Sequence, residues 1–178
     1  MRQVVLDTET TGLDPADGHR IIEIGAVELL DGQPTGEELR LLLDPEREMD
    51  ADAVAVHGYQ PEDLAGRPRF RDVAEPVIEF LRDAEVLIHF AEFDLGFINR
   101  ELALLGPGWG ELTDYCRITC TRELAIGFLP ELPSHRLDAL CDHYGIDRSH
   151  RERHGALIDA RLLAAVYAAM CAGKGVAA

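Results

Sequence analysis

Val4-Val5-Leu6-Asp7-Thr8-Glu9-Thr10-Thr11-Gly12 begins as a buried strand and turns polar in mid-course. Val4 to Leu6 suit a central strand, and the β-branched threonines fit its far end. Side chains on a strand alternate faces with period two, which puts Asp7 and Glu9 on the same side. Two carboxylates held that close repel unless a cation lies between them or one is protonated. Hard oxygen ligands on a rigid strand suit Mg2+ or Mn2+. A strand running into an acidic surface turn accounts for the nonapeptide equally well and needs no metal.

Outward from this stretch, residues 14–20 carry turn chemistry. Ile21 to Leu30 forms an expected second strand, Asp31-Gly32 a hairpin turn, and Glu38 to Leu43 the returning third strand. The opening therefore reads as an antiparallel meander with Asp7 and Glu9 on its first member. Short helices are expected over Asp50 to Val56, ending at His57-Gly58, and over Pro61 to Leu64. A longer one is expected over Phe70 to Arg82, where Pro76 predicts a kink or a first-turn proline. Glu85 to His89 is a short apolar run, hence a buried parallel strand. The segment from Phe90 to Leu105 reads as a helix ended by Gly106-Pro107-Gly108. Cys116 to Ile126 and Leu137 to Tyr144 read as two more helices around a proline-interrupted loop, and Gly155 to Cys171 as the longest helix. The pattern defines an α/β domain with a mixed sheet.

The 178 residues fit one domain, placed over 1–172, with a frayed, flexible tail over 173–178. No apolar run approaches the ~18–20 residues of a membrane span. Met1 leads within three residues into the first strand, which leaves no room for a signal peptide. Cys116, Cys120, Cys141 and Cys171 match no zinc template and read as reduced residues of a cytoplasmic protein, with Cys116 and Cys120 one turn apart on a helix. The net charge of −16 argues against broad electrostatic binding of nucleic acid. It leaves room for a short, metal-assisted grip on one strand end, and for a partner that delivers the substrate.

Three further segments carry acid or histidine. Asp94 follows the carboxyl end of the buried strand, where α/β ligand sites collect; as a first-turn acid it would also complement the helix dipole. His154 and Asp159 are five apart, which on one helix turns ~500° and leaves them ~140° apart. They converge only if His154 precedes the helix, and Gly155 permits such a break. Asp159 sits among aliphatic neighbours and fits a metal, or a surface pair with Arg161 or Arg153. Asp52 and His57 form a weaker signal, since a lone histidine after a short helix is commonly a cap.

Asp7-x-Glu9-Thr10-Thr11-Gly12, His89-x-Ala91-x-Phe93-Asp94 and His154-x-Ala156-x-x-Asp159-Ala160 together resemble the three motifs of the DEDD exonuclease superfamily, histidine branch. The run Leu137 to Arg151 is similar to that of the epsilon family of proofreading subunits of bacterial DNA polymerases, and the match extends through Asp52 and His57-Gly58. The resemblance implies a ribonuclease-H-like fold, an exonuclease domain and 3′→5′ exonuclease activity with two divalent ions, Mg2+ or Mn2+. It implies that Asp7, Glu9, Asp94 and Asp159 hold the metals and that His154 is the general base. Asp52 and His57 would approach the terminal nucleotide, with Thr8 and Phe93 as further substrate contacts. The implied partners are a single-stranded DNA 3′ end and a DNA polymerase subunit.

Two departures stand out. The second motif usually reads His-Asn-Ala, and Phe90 stands where that Asn is expected. The chain also stops at Ala178 without the family's polymerase-binding extension, as either a catalytic domain alone or a stand-alone relative. The rival readings are an RNA-trimming exoribonuclease of the RNase T or oligoribonuclease type, a non-catalytic polymerase-associated module, and an unrelated acidic α/β protein.

Overall fold

The computed structural model describes residues 1–174. Its centre is the opening strand, β1 (Arg2–Thr10), and the sheet grows from it in both directions. On one side lie β2 (Ile21–Leu30) and β3 (Gln33–Leu42), each antiparallel to its neighbour. On the other lie β4 (Glu85–Ile88), parallel to β1, and β5 (Arg117–Cys120), parallel to β4. The order is β3-β2-β1-β4-β5.

Asp31 and Gly32 both have positive φ, 50° and 75°, which is the geometry of a two-residue turn that matches strand twist. Pairing therefore starts at once, Leu30 against Gln33, and the third strand begins five residues before the expected Glu38. Pro34 and Gly36 are tolerated there because β3 is an edge. A second correction concerns Cys116 to Ile126. Its first part is not helix: Arg117–Cys120 pairs with β4 as an edge strand, and helix begins only at Thr121. The β-branched Ile118 and Thr119 satisfy the pleat, so tertiary pairing overrides the helical reading. Cys116 and Cys120 are thus not one turn apart on a helix, and all four cysteines are free.

The helices are α1 (Ala51–His57), α2 (Pro61–Leu64), α3 (Phe70–Leu81), α4 (Ala91–Leu105), α5 (Thr121–Phe128), α6 (Leu137–Tyr144) and α7 (Ala156–Lys174). Pro76 lies in the interior of α3, not its first turn, and the helix continues through it. The strand period sorts the core into two layers. Val4 and Leu6 face α3 and α4, packing with Phe70, Val77, Ile78, Phe97 and Leu102. Val5, with Val27, Leu29 and Leu87, faces α5, α6 and α7, packing with Leu140, Leu163, Val166 and Met170. α7 reaches two residues into the expected tail; 175–178 lie outside the described residues.

Contrary to the sequence expectation, the window Ala156–Gly173 is long and apolar enough to cross a membrane. Half of it is buried against the sheet, which accounts for its hydropathy as that of a core helix.

Candidate active site

Strand parity builds the site. Asp7 and Glu9 share the odd register with Val5 and so turn toward α7, while Thr8 turns toward α4. Asp94, in the first turn of α4, is 3% exposed and accepts a hydrogen bond of 2.7 Å from Thr8 Oγ1. Acids from both faces thus meet at the end of β1.

Two features of β2 bring α7 onto this end. Gly25 pairs with Asp7 across the ladder. A Cβ there would lie 2.1 Å from the Leu157 backbone nitrogen, so only glycine lets the first turn of α7 approach. Two residues earlier, Glu23 is 1% exposed and accepts a 3.0 Å bond from the Ala156 N–H, capping the helix from a neighbouring strand. Arg40 and Tyr59 hold Glu23, at 2.8 Å each. Asp159 then falls one turn into α7, buried beside Asp7 and Glu9.

His154 lies before the helix, and Gly155 makes the break. Its backbone N–H donates to the Val56 carbonyl at 3.2 Å, tying it to α1, and its Nδ1 lies 3.2 Å from Asp159 Oδ2. The ~140° separation expected on a continuous helix is removed by that break. Every residue singled out in the sequence, including Thr8, Asp52, His57 and Phe93, lines one cleft of about 340 Å3. Asp52 lies on the exposed first turn of α1. His57 is 5% exposed; its Nδ1 accepts from the Tyr59 N–H at 3.0 Å, and its Nε2 has no partner. Burial lowers the His57 pKa, against the Thr10 backbone, which favours the proton. A neutral ring with Nδ1 accepting carries its proton on Nε2, so a buried donor waits in the cleft.

The acids divide by charge compensation. Burial, then the charges of Asp94, Glu9 and Asp159, raise Asp7 well above the usual carboxylate range. Burial, with Asp159 and Glu23 adding to it, pushes Glu9 up to about 8. Burial pushes Asp94 up to about 7 against the Thr8 hydrogen bonds, which pull it down. None of these three forms an ion pair among the described residues, and the nearby Arg151 charge offsets only part of the rise at Asp7 and Glu9. Asp159 differs: burial raises it, but hydrogen bonds from His154 and Arg151 outweigh that and leave it below the usual range. Arg151 grips both Asp159 oxygens, with Nη2 at 2.6 Å from Oδ2, and also contacts Asp138 at 2.6 Å and His154 Nδ1 at 2.7 Å. A guanidinium only donates, so Nδ1 either accepts from Arg151 or, when protonated, donates to Asp159, and does not do both at once.

Sequence reasoning missed Arg151, Glu23 and Gly25. Arg151 was one of several basic residues ahead of His154 and carried no distinguishing spacing. Glu23 did carry a signal, an acid inside the apolar run Ile21 to Ala26. His89 fastens the architecture rather than joining the acids. Its Nε2 lies 2.9 Å from the His135 carbonyl and its Nδ1 3.0 Å from Thr121 Oγ1. A carbonyl only accepts, so Nε2 carries the proton and Nδ1 accepts from the threonine.

A mixed sheet with acids gathered at the end of its first strand, and a helix crossing behind them, defines a ribonuclease-H-like nuclease. The sequence model of the exonuclease family, RNase_T, matches residues 4–167, and the chain belongs to that family. It is 42% identical to a DNA polymerase III subunit epsilon from Rickettsia felis over 174 residues, covering 98% of this chain and 76% of the relative. To the subunit of that name from Escherichia coli it is 43% identical over 177 residues, covering 97% and 72%. Among solved structures it resembles exonuclease X in complex with 5′ overhanging duplex DNA, with a TM-score of 0.75, 25% identity and coverage of 97% and 93%. Exonuclease I shares the fold with a TM-score of 0.82 at 19% identity, the match covering 96% of this chain and 41% of that one.

Proposed function

We propose that this protein is a metal-dependent 3′→5′ exonuclease of the proofreading type, releasing nucleoside 5′-monophosphates from DNA 3′ ends. The observation that carries the reading is the set of acids Asp7, Glu9 and Asp94 in one cleft, Glu9 and Asp94 buried and Asp7 half-buried, none of them in an ion pair among the described residues. Such a set is costly in a folded protein unless a cation neutralises it. The donors fit a hard divalent ion: one atom each from Glu9, His154 and Asp159 lie within 4.8 Å of one another, with Asp7 and Asp94 adjoining. Asp7, Glu9, Asp94 and Asp159 are the proposed holders of two Mg2+ or Mn2+ ions. When bound, the ions neutralise the phosphate and make a bound water acidic enough to attack.

The remaining roles belong to the chain's own side chains. Thr8 fixes Asp94 through its hydroxyl. His154 takes the proton of the attacking water once Arg151 releases Nδ1 or the ring presents its other nitrogen. The unpartnered Nε2–H of His57 donates to the terminal nucleotide. Leu13 and Val56 are large apolar side chains left exposed at the rim of the same cleft, a surface suited to an unpaired base, with Phe93 inside. Asp52 borders the sugar from α1. The catalytic unit is residues 1–172. The net charge of −16 and the kinship to polymerase subunits support a polymerase partner that supplies the strand end.

The test is degradation of 3′-end-labelled strands with Mg2+, with Mn2+ and with EDTA, comparing DNA, RNA and mismatched duplex. Stepwise release of nucleoside 5′-monophosphates from DNA, stopped by EDTA, is expected. Faster release from RNA would overturn the DNA assignment, and release unaffected by EDTA the metal assignment.

A further inference from the structure

A second cleft, of about 570 Å3, adjoins the first. Asp7, Phe90, His154 and Asp159 line both, so the acids stand between the two spaces. The second continues past them to Arg122, on α5, and Arg136, at the start of α6. A strand whose scissile phosphate lies at the acids has its last nucleotide in one cleft and its upstream neighbour in the other.

Phe90 is the divider, and its conformation is costly. It has φ +64°, a left-handed backbone that a bulky side chain adopts at a penalty and Asn or Gly adopts readily. Burial does not repay that penalty, since the residue is 46% exposed. Strain kept at an exposed aromatic beside a catalytic cluster points to work done on a ligand. The Arg122 guanidinium lies 5.2 Å from the ring centroid, a cation–π contact that steadies the ring and brings positive charge beside it.

Like Arg47, Arg67, Arg100, Arg117 and Arg153 elsewhere, Arg122 and Arg136 are in no ion pair among the described residues, but only these two of that group line this cleft. Arg20, Arg40, Arg151 and Arg161, by contrast, are each tied to a carboxylate. Arg122 and Arg136 are both exposed. Asp138, the further acid of this cleft, already holds Arg151 at 2.6 Å. Arg136 is also not left to wander: it follows His135, whose carbonyl His89 anchors to the end of β4. In a chain of net charge −16, two unspent arginines on one anchored rim form a local phosphate-binding surface.

We propose that this cleft is a second nucleotide subsite, in which Phe90 stacks the base 5′ to the departing nucleotide and Arg122 and Arg136 bind its phosphates. The proposal rests on the nuclease reading above. Base–aromatic stacking tolerates any base, which suits an enzyme that walks along a strand without regard to sequence.

The test uses the full chain in EDTA and oligodeoxynucleotides with 2-aminopurine at the terminal, second or fifth position from the 3′ end. Binding is expected to change the fluorescence of the second-position probe most strongly, with Phe90→Asn abolishing that change and Phe90→Tyr keeping it. Phe90→Asn is expected to fold at least as stably as wild type, because Asn suits the left-handed backbone. Arg122→Gln and Arg136→Gln should each weaken binding several-fold and lower the slope of log K against log salt by roughly 0.7, the value for one phosphate on a single strand. A second-position signal unchanged in Phe90→Asn, or salt slopes unchanged in both arginine variants, overturns the subsite. If wild type still degrades and binds the strand in that case, the nuclease reading stands; a wild type that does neither overturns both.

Discussion

The strand side and the helix side of the acidic centre solve the same problem in opposite ways. Glu9 and Asp94 are buried and Asp7 half-buried, all without an ion pair of their own, and although Arg151 offsets part of the rise at Asp7 and Glu9, their protons are held to higher pH. Asp159, as deeply buried, is gripped by Arg151 and faced by His154, and its proton leaves more easily than usual. The difference teaches which half needs help from outside. The strand side is the half left short of positive charge, whereas the helix side is neutralised internally by its arginine.

Removal of either side should be equally fatal to activity. Asp7→Ala and Asp159→Ala are expected to lower kcat by more than about 10^3-fold, on the scale of lost electrostatic stabilisation in a reacting centre. His154→Ala should lose about 10^2–10^4-fold, the range for a general base. Steady-state release of nucleotide from a labelled strand measures all three. Activity near wild type in either aspartate variant removes the metal-holding assignment.

Stability should split the two sides. Asp7→Asn deletes a half-buried charge that has no ion pair, so the metal-free variant is expected to melt at or above the wild-type temperature. Asp159→Asn leaves the Arg151 guanidinium with the half-exposed Asp138 as its remaining acid partner and should cost about 3 kcal/mol, the lower end for breaking a buried pair. Urea unfolding in EDTA reads both. Equal shifts of the same sign would erase the distinction between the sides.

Much of this arrangement was legible in the chain. The period-two pattern put Asp7 and Glu9 on one face, and the turn at Asp31-Gly32 fixed the meander. Gly155 beside His154 allowed the helix break that unites it with Asp159. Neighbours brought in by tertiary packing were not legible. Arg117–Cys120 is too short to announce a strand and exists because β4 offers it a parallel partner. Gly25 looks like any glycine until α7 lies across it, and Arg151 has no partner until Asp159 arrives from eight residues away. Phe90 was noticed as a departure from a motif, but the left-handed backbone that gives the departure its meaning is a property of the fold alone.

The pH dependence of the metal-free protein should follow the strand side. Glu9 and Asp94 are raised to about 8 and about 7 in the folded state, above their unfolded values. The folded state therefore binds more protons than the unfolded one between about pH 4 and 8, and stability falls as pH rises through that window. The lowered carboxylates, Glu28, Glu38, Glu85, Asp142, Asp147 and Asp159, lose their contribution only toward the acid end of that window, and His57 and His89, lowered by burial, oppose the trend below about pH 6.5 without outweighing the two strongly raised acids. In EDTA the melting temperature is expected to be lower at pH 8 than at pH 5, and Mn2+ should raise it more at pH 8. A larger metal-induced rise at pH 5 contradicts the assignment of these acids as the holders.

The smallest expected effect probes the Thr8 hydroxyl, one of the donors that hold Asp94. Thr8→Val keeps the shape of the side chain but removes the donor to Asp94 Oδ1. Losing a bond to a charged acceptor costs about 1.5–3 kcal/mol when the acceptor is ionised, and about 0.5–1.5 kcal/mol when it is protonated. The variant should therefore lose less stability at pH 5 than at pH 8, and raise the Asp94 pKa further. At pH 7 it should need more Mn2+ to reach the same melting temperature, roughly fivefold if the pKa moves by about one unit from about 7. Carbon-detected titration of the Asp94 carboxyl in EDTA measures that shift directly. A Thr8→Val protein with the wild-type Asp94 titration would show that burial and the backbone donors set this proton, and that the Thr8 hydroxyl contributes nothing to holding the strand side together.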